Sequence, residues 1–109
     1  MKSNGESKHF ENNEEAEILL KESRKRIDEI DNALFDLISQ RTALAKDIVF
    51  SKDYLGLPIY DKDREEAIHK KIEKLSKENN LDSEIIDQIF SMLTKLSKNM
   101  QKQILKEEC

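Results

Sequence analysis

One cysteine, one proline and two glycines stand in 109 residues, and tryptophan is missing altogether. Each scarcity excludes something. The only thiol, Cys109, is the last residue, which leaves no disulfide framework and no paired thiolate spacing for a metal. His9 and His69 are isolated from each other, so the chain offers neither a metal-ligand cluster nor a Ser/His/Asp or Cys/His nucleophilic set. No metal and no cofactor are expected. No apolar run approaches the roughly 18 residues of a membrane span, and the first residues lack a signal peptide's apolar core. The expectation is a cytoplasmic protein without a membrane partner. Aromatics make up 6% of the chain and charged residues 39%, a composition that favours long helices over sheets. The fold is read as all-α, in one small domain. A net charge of -4 argues against nucleic acid, which wants a broad basic surface.

Residues 1–13 are polar, without periodicity, and read as a disordered tail; the domain is taken as residues 14–109. From about Glu14 to Ser51 nothing breaks a helix, and the pattern predicts one long helix, interrupted or frayed near Lys52. The stretch from Asp53 to Pro58 holds the domain's Gly and Pro and reads as a loop. Asp61 is a plausible N-cap for a second helix ending near Glu78, where Asn79-Asn80 can turn left-handed. Asp82 or Ser83 can cap a third helix running to about Lys106, whose inner stripe reads Ile86, Phe90, Leu93, Ser97, Met100 or Gln101, and Ile104.

One stripe of the long helix carries Ile27, Leu34, Ile38, Arg41, Ala45 and Ile48, with Arg24 and Lys52 at its two ends. Cations on an apolar stripe ask for an anion, because an unpaired desolvated charge costs on the order of 3–5 kcal/mol. Arg41 and Lys52, 11 residues apart, are separated by about 16 Å along the axis and nearly in phase, so they can converge on one small ligand. Arg24 lies about 25 Å before Arg41 and cannot share that ligand within one chain. A helix of this length, roughly 50 Å, is too long for two short helices to cover. A second copy packed against it in a two-fold dimer would bury the stripe and bring Arg24 to the partner's site.

Taken singly, these residues have plainer readings. Arg24 suits a solvated surface, and Arg41 could pair with Asp31 or Glu65 inside the core. Lys52 suits a helix C-terminus, while Asp61 and Glu65 suit a helix N-terminus. Ser97 could bond its own helix, and Gln101 could face water. His69 reads as solvent-facing, the lysines from Lys95 to Lys102 as a solvated helix face, and Cys109 as an exposed thiol.

The order and spacing carry more. Arg24-x-x-Ile27-Asp28-x-Ile30-Asp31, Leu37-Ile38-x-x-Arg41-x-x-Leu44-Ala45, Lys52, Pro58-Ile59-Tyr60-Asp61-x-x-Arg64-Glu65 and Ser97-x-x-x-Gln101 follow one another over residues 20–105. This series resembles the all-helical chorismate mutase family. The resemblance implies three helices, one very long, in an intertwined homodimer with composite active sites. The activity it implies is the rearrangement of chorismate to prephenate on the route to phenylalanine and tyrosine. Carried over by position, Arg24 of one subunit joins Arg41, Lys52, Asp61, Arg64, Glu65, Ser97 and Gln101 of the other. Arg24, Arg41, Lys52, Glu65 and Gln101 are implied as catalytic, and Asp61, Arg64 and Ser97 as substrate-binding. Val49 departs from the pattern, standing where the family often has glycine.

A unimolecular rearrangement needs no nucleophile, which agrees with the inventory. It needs restraint and stabilisation of charge on the departing ether oxygen. Arg24 and Arg41 would clamp the two carboxylates, Lys52 and Gln101 would face the ether oxygen, and Glu65 would accept from the ring hydroxyl. An amide at position 101 donates at any ordinary pH, which implies a broad pH profile. Two other functions fit the pattern less well. An isochorismate pyruvate lyase of the same fold should lack the acidic pair Asp61 and Glu65, and a non-catalytic helical dimerisation module should pair Arg41 and Lys52 internally. A fused partner enzyme is not expected at this length.

Overall fold

A computed structural model of the chain describes residues 9–108, in which helices and short connections account for everything and no strand occurs. The expectations for residues 1–8 and for Cys109 fall outside the described residues. Four helical segments follow in order: α1 (Asn13–Ala43), α2 (Ala45–Leu55), α3 (Lys62–Glu78) and α4 (Ser83–Glu108). The described residues fall into two compact units, one up to Asp36 and one from Leu37 onward.

The first unit holds most of α1. The Asn12 side chain accepts from the Glu15 N–H at 2.9 Å, and the Glu15 carboxylate reaches back to the Glu11 N–H at 3.0 Å. This reciprocal arrangement satisfies two donors that a helix start leaves open. No residue of α1 is buried, and Ile27, Ile30 and Leu34 are about half exposed.

The second unit begins with the end of α1. The long helix does not run unbroken to Ser51 as the sequence pattern predicts; it is interrupted at Leu44, so its last part forms a separate segment. There the Leu44 N–H bonds the Arg41 carbonyl three residues back, at 3.3 Å. Thr42 Oγ1 donates to the Ile38 carbonyl at 2.8 Å, a back-bond of the kind that bends helices. Leu44 keeps helical torsions, so the break is a single turn residue rather than a loop. Nor is the helix interrupted or frayed at Lys52. It continues through Leu55 because Gly56, at φ 71°, supplies the left-handed stop. The Gly56 N–H reaches the Asp53 carbonyl and the Leu57 N–H the Lys52 carbonyl, at 3.2 and 2.8 Å, the paired bonds of a Schellman end.

Asp61 caps α3, its Oδ1 accepting from the Arg64 N–H at 3.0 Å. At the other end Asn80 takes φ 55° and a second Schellman pair forms, Leu81 N–H to Ser76 O at 2.9 Å and Asn80 N–H to Lys77 O at 3.3 Å. Asp82, not Ser83, caps α4 through Oδ1, which accepts from Glu84 and Ile85. α4 packs against both α2 and α3. The buried centre is small: Ala45 and Val49 of α2, Ile72 and Ser76 of α3, Gln101 of α4. Val49 is fully buried, so its side chain occupies space between helices that a glycine would leave empty. No helix of the described residues is long and apolar enough to cross a membrane.

Three substitutions test this account. Nothing lies within 4 Å of a Cβ added at Gly56, so Gly56→Ala meets only the left-handed backbone penalty. It should lower the unfolding free energy by about 1 kcal/mol, whereas Asn80→Gly should leave it level or raise it. The buried Ser76 Oγ finds no hydrogen-bond partner among the described residues; Ser76→Ala removes that unpaired hydroxyl and should stabilise by up to about 1 kcal/mol. Urea midpoints would read all three.

Candidate active site

Arg41 stands in the last turn of α1 and Lys52 in the last turn of α2, and both side chains line a cavity of about 380 Å³ in the second unit. α3 contributes Arg64 and Glu65 from its first turn, with Asp61 just before it. α4 contributes Ser97 and Gln101, one helical turn apart. Seven of the eight residues singled out from the sequence thus surround one space. The eighth, Arg24, belongs to the first unit, where it is exposed on α1 in a shallow recess with Lys21, Lys25 and Asp28.

The polar contacts form a connected chain. The Lys52 ammonium donates to the Ile59 carbonyl at 2.7 Å and to Gln101 Oε1 at 3.0 Å. An ammonium only donates, so the Gln101 amide must turn its oxygen towards Lys52. Its Nε2 then faces Ser97 and donates to the hydroxyl at 3.1 Å. These contacts explain how a polar amide can be so deeply buried, since Gln101 is only 3% exposed. Arg41 Nη1 donates to the Leu93 carbonyl of α4 at 3.1 Å. A pairing of Arg41 with Glu65 is not what forms: Glu65 pairs with Lys98, Oε2 lying 3.0 Å from Nζ. Asp61 serves as an N-cap and lines the cavity at once.

Lys98 departs from the expectation that the lysines from Lys95 to Lys102 form a solvated face. Its side chain is 27% exposed, lines the cavity and lies 5.3 Å over the Tyr60 ring. Ile48 and Leu44 supply apolar wall. His69 is largely exposed, as expected, but its Nδ1 meets Asp87 Oδ1 across α3 and α4. Neither pair carries a local signal in the sequence, because the partners stand 33 and 18 residues apart and only helix packing brings them together. No group of three or more His, Cys, Asp or Glu able to hold a metal occurs among the described residues.

The cavity therefore carries four cations, Arg41, Lys52, Arg64 and Lys98, against two carboxylates, Asp61 and Glu65. The surplus of two positive charges, set among apolar side chains, suits a small dianion.

Comparison with known proteins gives a consistent result. Residues 23–102 match the family described as chorismate mutase type II. The chain is 49% identical over 88 residues to a chorismate mutase of Methanocaldococcus jannaschii, which covers 81% of this chain and 89% of that protein. It is 33% identical to a bifunctional chorismate mutase/prephenate dehydratase of Buchnera aphidicola, matching 79% of this chain but 22% of that longer protein. A solved structure, described as the NMR structure of monomeric chorismate mutase from Methanococcus jannaschii, superposes with a TM-score of 0.63. It shares 44% identity and covers 82% of this chain and 93% of that one. Sequence, helical architecture and a dianion-sized basic cavity agree, and the chain belongs to the type II chorismate mutase family.

Proposed function

We propose that this chain converts chorismate to prephenate, breaking the ether C–O bond while a C–C bond forms, with no covalent intermediate and no cofactor. The observation that carries the reading is the charge surplus of the cavity, in which Arg41 and Lys52 are hydrogen-bonded to neutral oxygens. Neutral acceptors satisfy the donors without cancelling the charge, so both cations retain their attraction for the substrate's two carboxylates and its ether oxygen.

In this reading Arg41 takes a carboxylate and holds the enolpyruvyl arm over the ring. Lys52 and the Gln101 amide face the ether oxygen, where negative charge grows as the C–O bond lengthens. The second hydrogen on Gln101 Nε2 remains for that oxygen once Ser97 has taken the first. Glu65 accepts from the ring hydroxyl, Ser97 assists a carboxylate, and Arg64 adds to the positive field. The product, prephenate, would feed the synthesis of phenylalanine and tyrosine.

The reading extends to assembly. We infer a homodimer in which Arg24 of one copy completes the cavity of the other. The half-exposed Ile27, Ile30 and Leu34 of α1 support it, as apolar surface that a second copy would cover. The solved relative is described as monomeric, so the assembly is to be measured for this chain rather than carried over.

Purified protein should turn chorismate into prephenate and leave isochorismate unchanged. Arg41→Ala and Lys52→Ala should each cost about 2.7–4 kcal/mol of transition-state stabilisation, roughly 100- to 1,000-fold in kcat/KM; activity within twofold of the parent would overturn the assignment.

Position 101 gives a second test, through pH. A carboxylate introduced by Gln101→Glu would lie beside Lys52, which favours its ionised form, and an ionised carboxylate cannot donate. The variant should be weak at neutral pH and gain activity as pH falls and the carboxyl protonates, while the parent stays level.

The dimer has its own readout. Mixing inactive Arg24→Ala and Arg41→Ala proteins under exchange should restore about a quarter of parental activity, because half the dimers are mixed and each holds one intact composite site. Self-contained sites would restore none.

A further inference from the structure

We propose that Lys98 is a positioning residue for the reaction, acting through Glu65; the inference rests on the chorismate mutase reading of the cavity. Lys98 Nζ lies 3.0 Å from Glu65 Oε2 and 3.3 Å from Oε1, so one ammonium spans both oxygens of the carboxylate. The pair is withdrawn from solvent, at 27% and 30% side-chain exposure, where an ion pair is screened less than at an open surface. The Tyr60 ring lies under the same ammonium at 5.3 Å and limits where it can swing. Lys98 and Glu65 line both the cavity and a broader groove of about 710 Å³ lined mainly by α3 and α4. They form part of the wall between the two spaces.

This placement gives Lys98 two tasks. It fixes the Glu65 carboxylate so that its remaining lone pairs are available to a hydroxyl in the cavity. It also matches the charge of Glu65 internally. Without that match, Glu65 is an anion within a cavity lined by Arg41, Lys52 and Arg64, and it competes with the substrate for them. Lys98 touches no reacting atom in this scheme. A change at Lys98 is felt only through the carboxylate it holds.

The test is a double-mutant cycle with Lys98→Met, Glu65→Gln and the double variant, each checked by circular dichroism and thermal melting, with steady-state kinetics on chorismate. Lys98→Met should raise KM and lower kcat, costing about tenfold or more in kcat/KM, and Lys98→Arg should recover most of it. The double variant should match Glu65→Gln alone within about threefold, since with no carboxylate there is nothing for Lys98 to hold. Multiplicative losses in the double variant, or parental kinetics in Lys98→Met, would overturn the proposal. If Lys98→Met failed to fold, the double variant, which replaces the ion pair by two neutral side chains, compared with Glu65→Gln would still decide it. A parent protein inactive on chorismate would instead reject the underlying reading.

Discussion

The arrangement depends on one ammonium that is satisfied without being neutralised. Lys52 spends its hydrogen bonds on two neutral oxygens, the Ile59 carbonyl and Gln101 Oε1. Through these it joins α2 to the segment before α3 and to α4. Because it can only donate, it dictates which way the Gln101 amide lies, and that in turn directs Nε2 at Ser97. A carboxylate in either place would have held the geometry equally well and consumed the charge. Neutral acceptors leave the positive potential in place for a ligand.

In a unit this small the site and the core are hardly separable. Arg41, Ala45, Val49 and Lys52 follow at steps of four, four and three, one helical face carried across the interruption at Leu44. Its middle two residues are fully buried and its outer two line the cavity. On α4 the same sharing occurs in one residue, since Gln101 is both among the most buried side chains and part of the cavity wall. The apolar contacts of Ala45 and Val49 thus set the height at which the two cations stand.

Much of this is legible in the sequence where physics is local. Asp61, Asp82 and Asn80 act at helix ends as their side chains and backbone preferences dictate, and Arg41, Lys52, Ser97 and Gln101 share faces fixed by helical period. The stripe expected for the long helix holds at Arg41, which lines the cavity, and at Ala45, which is fully buried, but it misses Val49, which is buried as well, while Ile48 is 40% exposed and lines the cavity. The interruption at Leu44 is illegible because no Pro or Gly makes it. At it stand a Thr42 back-bond and one backbone bond that reaches three residues back instead of four, options open to many threonines that do not interrupt their helices. Lys98 is hidden for a different reason. Several lysines repeat along α4, and only the packing of α4 on α3 selects the one that meets Glu65.

The reaction assigned to this cavity asks the protein for shape and field, not for a nucleophile, so precision must come from how firmly the cavity wall is held. The segment between α2 and α3 shows how a chain with a small core achieves it. Gly56 ends α2 with a paired hydrogen-bond stop, and Asp61 starts α3 with a side-chain cap. Between these two fixed points, the Ile59 carbonyl is held by Lys52. A short connection secured at both ends and in its middle has few conformations left to lose when a ligand arrives. Asp61 and the carbonyl that anchors Lys52 are therefore preorganised by hydrogen bonds between side chains and backbone, which hold even where little apolar area is buried.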